Sequence, residues 1–171
     1  VEGLRGADKV VGDLCAADAA IDAGDLTRAH LVVDKWTDSP PFPARALRRA
    51  RLLRHEGKYA EAERMLEQAP SLPSTQIERI LVEAEIAQSR DHALSLIDDR
   101  IGAAGPFLEA YVLARKGERD KAERRLSAAK TPGPDAPLSL RVAAALAYAE
   151  VGGADGGAAF VQVVAEKFPQ H

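Results

Sequence analysis

The stretch RALRRARLLRH, Arg45 to His55, packs five arginines and a histidine into eleven residues. On a helix, successive residues turn by about 100°. Ala46, Ala50 and Leu53 then share one side, while Arg48, Arg51 and His55 fall roughly opposite, flanked by Arg45 and Arg54. Leu47 is grouped with this basic face. Guanidinium groups suit carboxylates because their paired N–H donors match two oxygens at once. The chemistry offered is capture of acidic groups, with His55 tuning its pH response. The competing reading is a solvated helix face paired with Glu56, Glu61 or Glu63.

Other residues of catalytic type form no constellation. The four histidines, His30, His55, His92 and His171, include no H-E-x-x-H pair. Asp98 and Asp99 are adjacent, so on a helix they diverge and form no acid–base dyad; they read as a solvated helix end. Ser71, Ser74, Ser89, Ser95, Ser127 and Ser139 lack a G-x-S-x-G context. The run GGADGG, Gly152 to Gly157, has no Lys-Ser/Thr behind it and reads as a long turn, not a phosphate loop. Cys15 reads as a packed residue of an alanine-rich helix. The expectation is a protein that is not an enzyme, with no catalytic residues, no metal site and no cofactor.

Composition agrees with a helical fold. The chain has 171 residues, 46% apolar and 29% charged, with few aromatics, which favours a globular helical protein over disorder or sheet. A net charge of −3 gives no global pull towards nucleic acid or anionic membrane. One cysteine excludes an internal disulfide but leaves cytoplasm and periplasm both open. No apolar run approaches the length of a membrane span, so no membrane insertion is expected. Val1 opens no signal-like segment.

The elements that would position the basic face repeat along the chain. GKYAEAERMLEQA, from Gly57, is nearly restated sixty residues later as GERDKAERRLSAA, from Gly117. Aligned on a small residue after each turn, Ala29, Ala62, Ala93, Ala122 and Ala158 follow one another at 33, 31, 29 and 36 residues. Such a period marks stacked supersecondary units. Each unit reads as two helices. In the second, Pro43 suits a first helical turn, Gly57 stops the helix, and Ala62, Met65, Leu66 and Ala69 line its partner. In the fourth, Gly105-Pro106 opens, Ala110 and Leu113 line the first helix, Gly117 breaks it, and Ala122, Leu126 and Ala129 line the second. The third starts with Thr75 and Glu78 at capping-box spacing and turns at QSRDH. The fifth runs LSLRVAAALAYAEVGG, then AAFVQVVAEKFP. No period-2 strand pattern occurs.

These features resemble the tetratricopeptide repeat family over nearly the whole chain, Asp8 to Phe168. The resemblance rests on the first-helix small residue (Ala17, Ala50, Ala84, Ala110, Ala145), the turn glycine (Gly24, Gly57, Gly117, Gly152), the second-helix alanine and the closing proline. Trp36 departs from it, standing where a small alanine is usual. The resemblance implies an all-α fold: one domain, a right-handed superhelix of five antiparallel helix pairs, at about 8–41, 42–73, 74–104, 105–134 and 135–169.

The family lines a concave groove with its first helices, so the resemblance places Arg48, Arg51, Arg54, His55 and Leu47 there. It adds Phe107, Tyr111 and Arg115 from unit four, Asp18 and Asp22 from unit one, and Glu85 from unit three. Family members that grip carboxylates also use asparagines, and this sequence has none. The partner implied is a protein or peptide, extended and acidic; acidic units interrupt the basic stripe and disfavour nucleic acid. KFPQH ends the sequence without a polar closing helix, which implies either following chain or a covering second copy, hence a possible homo-oligomer. The final segment resembles the unit ends of bacterial envelope lipoproteins, where an aromatic precedes proline, and assigns no compartment.

Overall fold

Gly24, Gly57 and Gly117 take φ of 71°, 76° and 83°, left-handed values open to glycine at little cost, and each separates two helices that pack on each other. The computed structural model describes residues 2–36, 41–133 and 135–167, and among these there is no strand. Pro134, Phe168, Pro169 and His171, all used in the sequence reading, lie outside them, as do the side chains of residues 2–7, 138, 154–157 and 159–167. The fold is all-helical.

Residues up to Glu78 form one compact unit and those from Arg79 onward a second. The first holds α1 (Glu2–Asp22), α2 (Leu26–Val33), α3 (Phe42–His55), α4 (Tyr59–Glu67) and the start of α5 (Pro73–Glu85). Asp25 caps α2, its carboxylate accepting the Arg28 N–H at 3.0 Å. Pro43 sits in the first turn of α3, where a missing N–H is harmless. Ala17, Ala20 and Ile21 of α1 meet Ala29 and Val33 of α2, Leu52 of α3 and Trp36 in one apolar core. Trp36 is thus accommodated as a core side chain beyond the end of α2. The alanines at Ala17, Ala29, Ala50 and Ala62 are fully buried, as small residues at close helix crossings should be.

The second unit holds the rest of α5, α6 (Arg90–Ser95), α7 (Gly105–Arg115), α8 (Arg119–Ser127) and α9 (Leu138–Lys167), with 3₁₀ turns at Ala87–Ser89 and Asp99–Ala104. Asp98 caps the latter turn by accepting the Arg100 N–H at 2.9 Å. Phe107, Leu108 and Val112 of α7, Ala93 of α6, Ala122 and Leu126 of α8, and Ala144 and Ala147 of α9 are buried.

Several expectations are corrected. α5 starts at Pro73, so Thr75 and Glu78 lie inside the helix, both buried, and form no capping box. Proline's fixed φ starts the helix two residues earlier. Gly152–Gly157 is not a long turn: α9 is interrupted at Gly153 alone (φ 64°, ψ −155°) and helix resumes at once. The turn glycine there is Gly153, not Gly152. With the helix resuming earlier, Ala158 is exposed; upstream of the kink Ala143, Ala144 and Ala147 are fully buried and Ala145 is not. Cys15 is exposed. It precedes buried Ala17 by two residues, which turns it about 200° away from the core. Leu52, not Leu53, is the buried leucine of α3.

Candidate functional site

α3 contacts α1, α2 and α4, so little of its circumference is free. The arginine side chains therefore reach along the surfaces of neighbouring helices instead of standing in solvent. Arg48 meets Asp18 of α1 with two N–H groups, Nη2 to Oδ2 at 2.6 Å and Nε to Oδ1 at 3.2 Å. Arg51 donates Nη1 to the same Asp18 Oδ1 at 2.7 Å and Nη2 to Asp22, one helical turn on. A single carboxylate is thus held by two guanidiniums, only 18% of its side chain exposed. Arg54 turns to the other side and donates Nε to Glu78 Oε1 of α5 at 2.6 Å. Arg49 donates to the carbonyls of Val33 and Trp36, at 3.4 and 3.1 Å, and so closes the C-terminus of α2.

The rest of the predicted face divides. Leu47 is half-buried. His55 lies at the exposed end of α3; the part of its ring that is buried, with Arg54 and Arg51 alongside, holds its pKa below the ordinary histidine value, and Glu78 and Asp22 only partly oppose this. Arg45 is half-buried, and its Nε has no hydrogen-bond partner among the described residues.

The second unit has its own cluster on α7. Arg115 donates Nη2 to Glu85 at 2.5 Å and approaches Glu150 of α9 at 3.5 Å. The Tyr111 hydroxyl also donates to Glu85. Phe107 corrects the expectation that it lines a surface groove: at 1% exposure it is core, tilted against Tyr148 with ring centroids 6.3 Å apart. Tyr111 is buried as well, with its hydroxyl committed to Glu85. Of the three predicted residues on this helix, Arg115 alone keeps substantial exposure, about a third of its side chain.

The partners expected for the arginines, Glu56, Glu61 and Glu63, are not the ones that hold them. Asp18 and Asp22 had been placed in the groove as a separate acidic segment; they are the counter-ions of the basic one. Asp18 precedes Arg48 and Arg51 by 30 and 33 residues, and Glu85 precedes Arg115 by 30. These separations match the repeat period, which was the available signal: opposite charges one period apart sit on successive first helices. Asp18 and Asp22 of α1 fix Arg48 and Arg51 of α3 in the first unit, and Glu85 of α5 fixes Arg115 of α7 in the second. The result is a set of guanidiniums held in place by carboxylates of neighbouring helices.

Among the described residues, no group of three or more His, Cys, Asp or Glu side chains could hold a metal ion, and no helix is long and apolar enough to cross a membrane. The chain matches no known family model, no curated protein and no solved structure.

Proposed function

We propose that the chain is a non-catalytic protein-interaction scaffold of the tetratricopeptide kind, and that its α3 face takes an extended acidic segment of a partner protein along a groove of first helices. The observation that supports this most is Asp18 seated between Arg48 and Arg51. It is an intramolecular example of how this surface holds a carboxylate. Arg45 extends the same row, three residues before Arg48, and is partly exposed. An acidic side chain that displaces Asp18 gains the same two guanidiniums, and its neighbour in the segment can reach Arg45.

The test uses the full chain and a labelled oligo-glutamate peptide. Arg48→Ala with Arg51→Ala should weaken binding about tenfold or more, since an acidic ligand then meets an uncompensated Asp18 in place of two guanidiniums. Asp18→Asn should strengthen it, because the competing carboxylate is gone. Binding should also fall steeply with salt. An affinity unmoved by all these substitutions refutes the reading.

A second reading, self-association within a larger assembly, is favoured by Val11 and Leu31, apolar side chains about 60% exposed in the first unit. Light scattering across a range of concentrations separates a monomer from an assembly.

A further inference from the structure

His30 stands apart from the arginine row and makes an arrangement that fixes its proton count. Nε2 lies 2.6 Å from Glu56 Oε1, and Nδ1 lies 3.0 Å from Asp34 Oδ2. An ionised carboxylate only accepts hydrogen bonds, and a neutral imidazole has one N–H. Both contacts can be hydrogen bonds together only if both ring nitrogens carry protons. The geometry is that of an imidazolium between two carboxylates.

The position gives this consequence. His30 and Asp34 lie on the last turn of α2 and at its C-cap, and Glu56 is the C-cap of α3. The ring therefore joins the ends of two helices that meet in the first unit's core. We propose that His30 is a proton-operated clamp that fastens the C-terminus of α2 to the α3–α4 turn and loosens on deprotonation. When the proton leaves, one ring nitrogen presents a lone pair to a carboxylate, so one link becomes a repulsion.

The surrounding charges agree with the protonated form. The Glu56 contact, then that of Asp34, raises the His30 pKa above its ordinary value, and partial burial opposes this only in part. Glu56 is itself held below the usual carboxylate range, first by His30 and then by Lys58, whose Nζ is 3.1 Å from Oε2. The nearby charges on other elements are occupied: Arg49 of α3 donates to the Val33 and Trp36 carbonyls, Asp18 and Asp22 of α1 hold Arg48 and Arg51, and Asp25 caps the start of α2. Because the folded pKa is raised, the clamp contributes stability in full below the ordinary histidine value and loses it as pH rises through the folded one.

The experiment is a ring-nitrogen NMR titration of the full chain, with Glu56→Gln and His30→Gln variants. Just below the ordinary histidine pKa the wild-type His30 should show two protonated ring nitrogens. Glu56→Gln should lower its titration point. Exchange protection of the Asp34 and Trp36 amides, corrected for intrinsic rate, should fall as pH passes through that point in wild type and stay flat in His30→Gln. A wild-type titration point at or below the ordinary histidine value, or one that Glu56→Gln does not move, overturns the proposal. Should His30→Gln fail to fold, the wild-type and Glu56→Gln titrations still decide it.

Discussion

Arg54→Ala should destabilise the first unit far more than Arg48→Ala, although the sequence writes the two arginines into one face. Arg54 and Glu78 are 10% and 5% exposed, so their pair is largely withdrawn from water. Removing the guanidinium strands a buried carboxylate. Breaking a buried pair on one side costs about 3–5 kcal/mol. The remaining exposure argues for the lower end, about 3 kcal/mol. Arg48 differs because its acceptor is shared: without it, Asp18 still has Arg51 at 2.7 Å. Its loss should cost about 1 kcal/mol, the upper range for a partly exposed pair. In a chain of this length 1 kcal/mol shifts Tm by about 2–4 °C. The expectation is a fall of about 6–12 °C for Arg54→Ala and at most about 4 °C for Arg48→Ala, read by calorimetry. A control separates charge burial from lost packing. Arg54→Leu with Glu78→Leu removes both charges and should recover most of the stability, since apolar replacement of a buried pair is often neutral or better. Equal melts for Arg54→Ala and Arg48→Ala would refute the reasoning. So would a double leucine variant no more stable than Arg54→Ala.

Three further outcomes follow from the fold. Ala62→Leu should cost about 1–3 kcal/mol in urea unfolding, because α4 approaches α3 with no room left at a fully buried alanine. Gly102→Ala should cost about 1–3 kcal/mol through backbone strain alone, since Gly102 sits at φ 58°, ψ −134° and an added Cβ would meet no atom within 4 Å; a melt like wild type would show that the turn relaxes freely. His55 has a lowered pKa, so the unfolded chain binds its proton first and stability should fall as pH drops below the ordinary value near 6.5; His55→Gln should lose less stability than wild type across that acid limb, and parallel curves would contradict the assignment.

Where the sequence could be read, the reason lies in local backbone chemistry. Gly24, Gly57 and Gly117 each adopt the left-handed conformation that ends a helix, and Ala29, Ala62, Ala93 and Ala122 are each fully buried behind the turn. These signals depend on one residue and its immediate neighbours. The third and fifth units depend on more. Between Ile86 and Gly105 the chain builds two 3₁₀ turns around a six-residue helix, and its left-handed glycine, Gly102, comes after that helix instead of before it. In the fifth unit six residues offered four glycines, and propensity alone does not say that Gly153 bends while its neighbours continue the helix. The candidate site divides in the same way. A helical wheel shows that Arg48 and Arg51 share a side of α3, but not which helix that side meets. It therefore took a side remote from Ala46 and Ala50 to be solvent, when α1 supplies Asp18 and Asp22 there. For Phe107 the repeat alignment made the same error: α7 is buried on enough of its circumference to take that ring into the core.

The ion pairs that order α3 also limit how it can bind. If a partner carboxylate takes the place of Asp18, one carboxylate leaves two guanidiniums and another arrives, so the exchange at Arg48 and Arg51 is close to even in Coulombic energy. Net affinity must then come from groups the fold leaves unsatisfied or uncovered. On α3 these are the exposed part of the half-buried Arg45 and the half-exposed Leu47 two residues on. Arg48 and Arg51 would set where a partner's acidic residue sits, while Arg45 and Leu47 would set how tightly it is held. That division makes Asp18→Asn the more informative substitution. Removing arginines weakens an acidic ligand on almost any model of this surface. A gain on removing the Asp18 carboxylate, beyond that on removing a carboxylate paired with neither arginine, requires that Asp18 and the ligand compete for the same two guanidiniums.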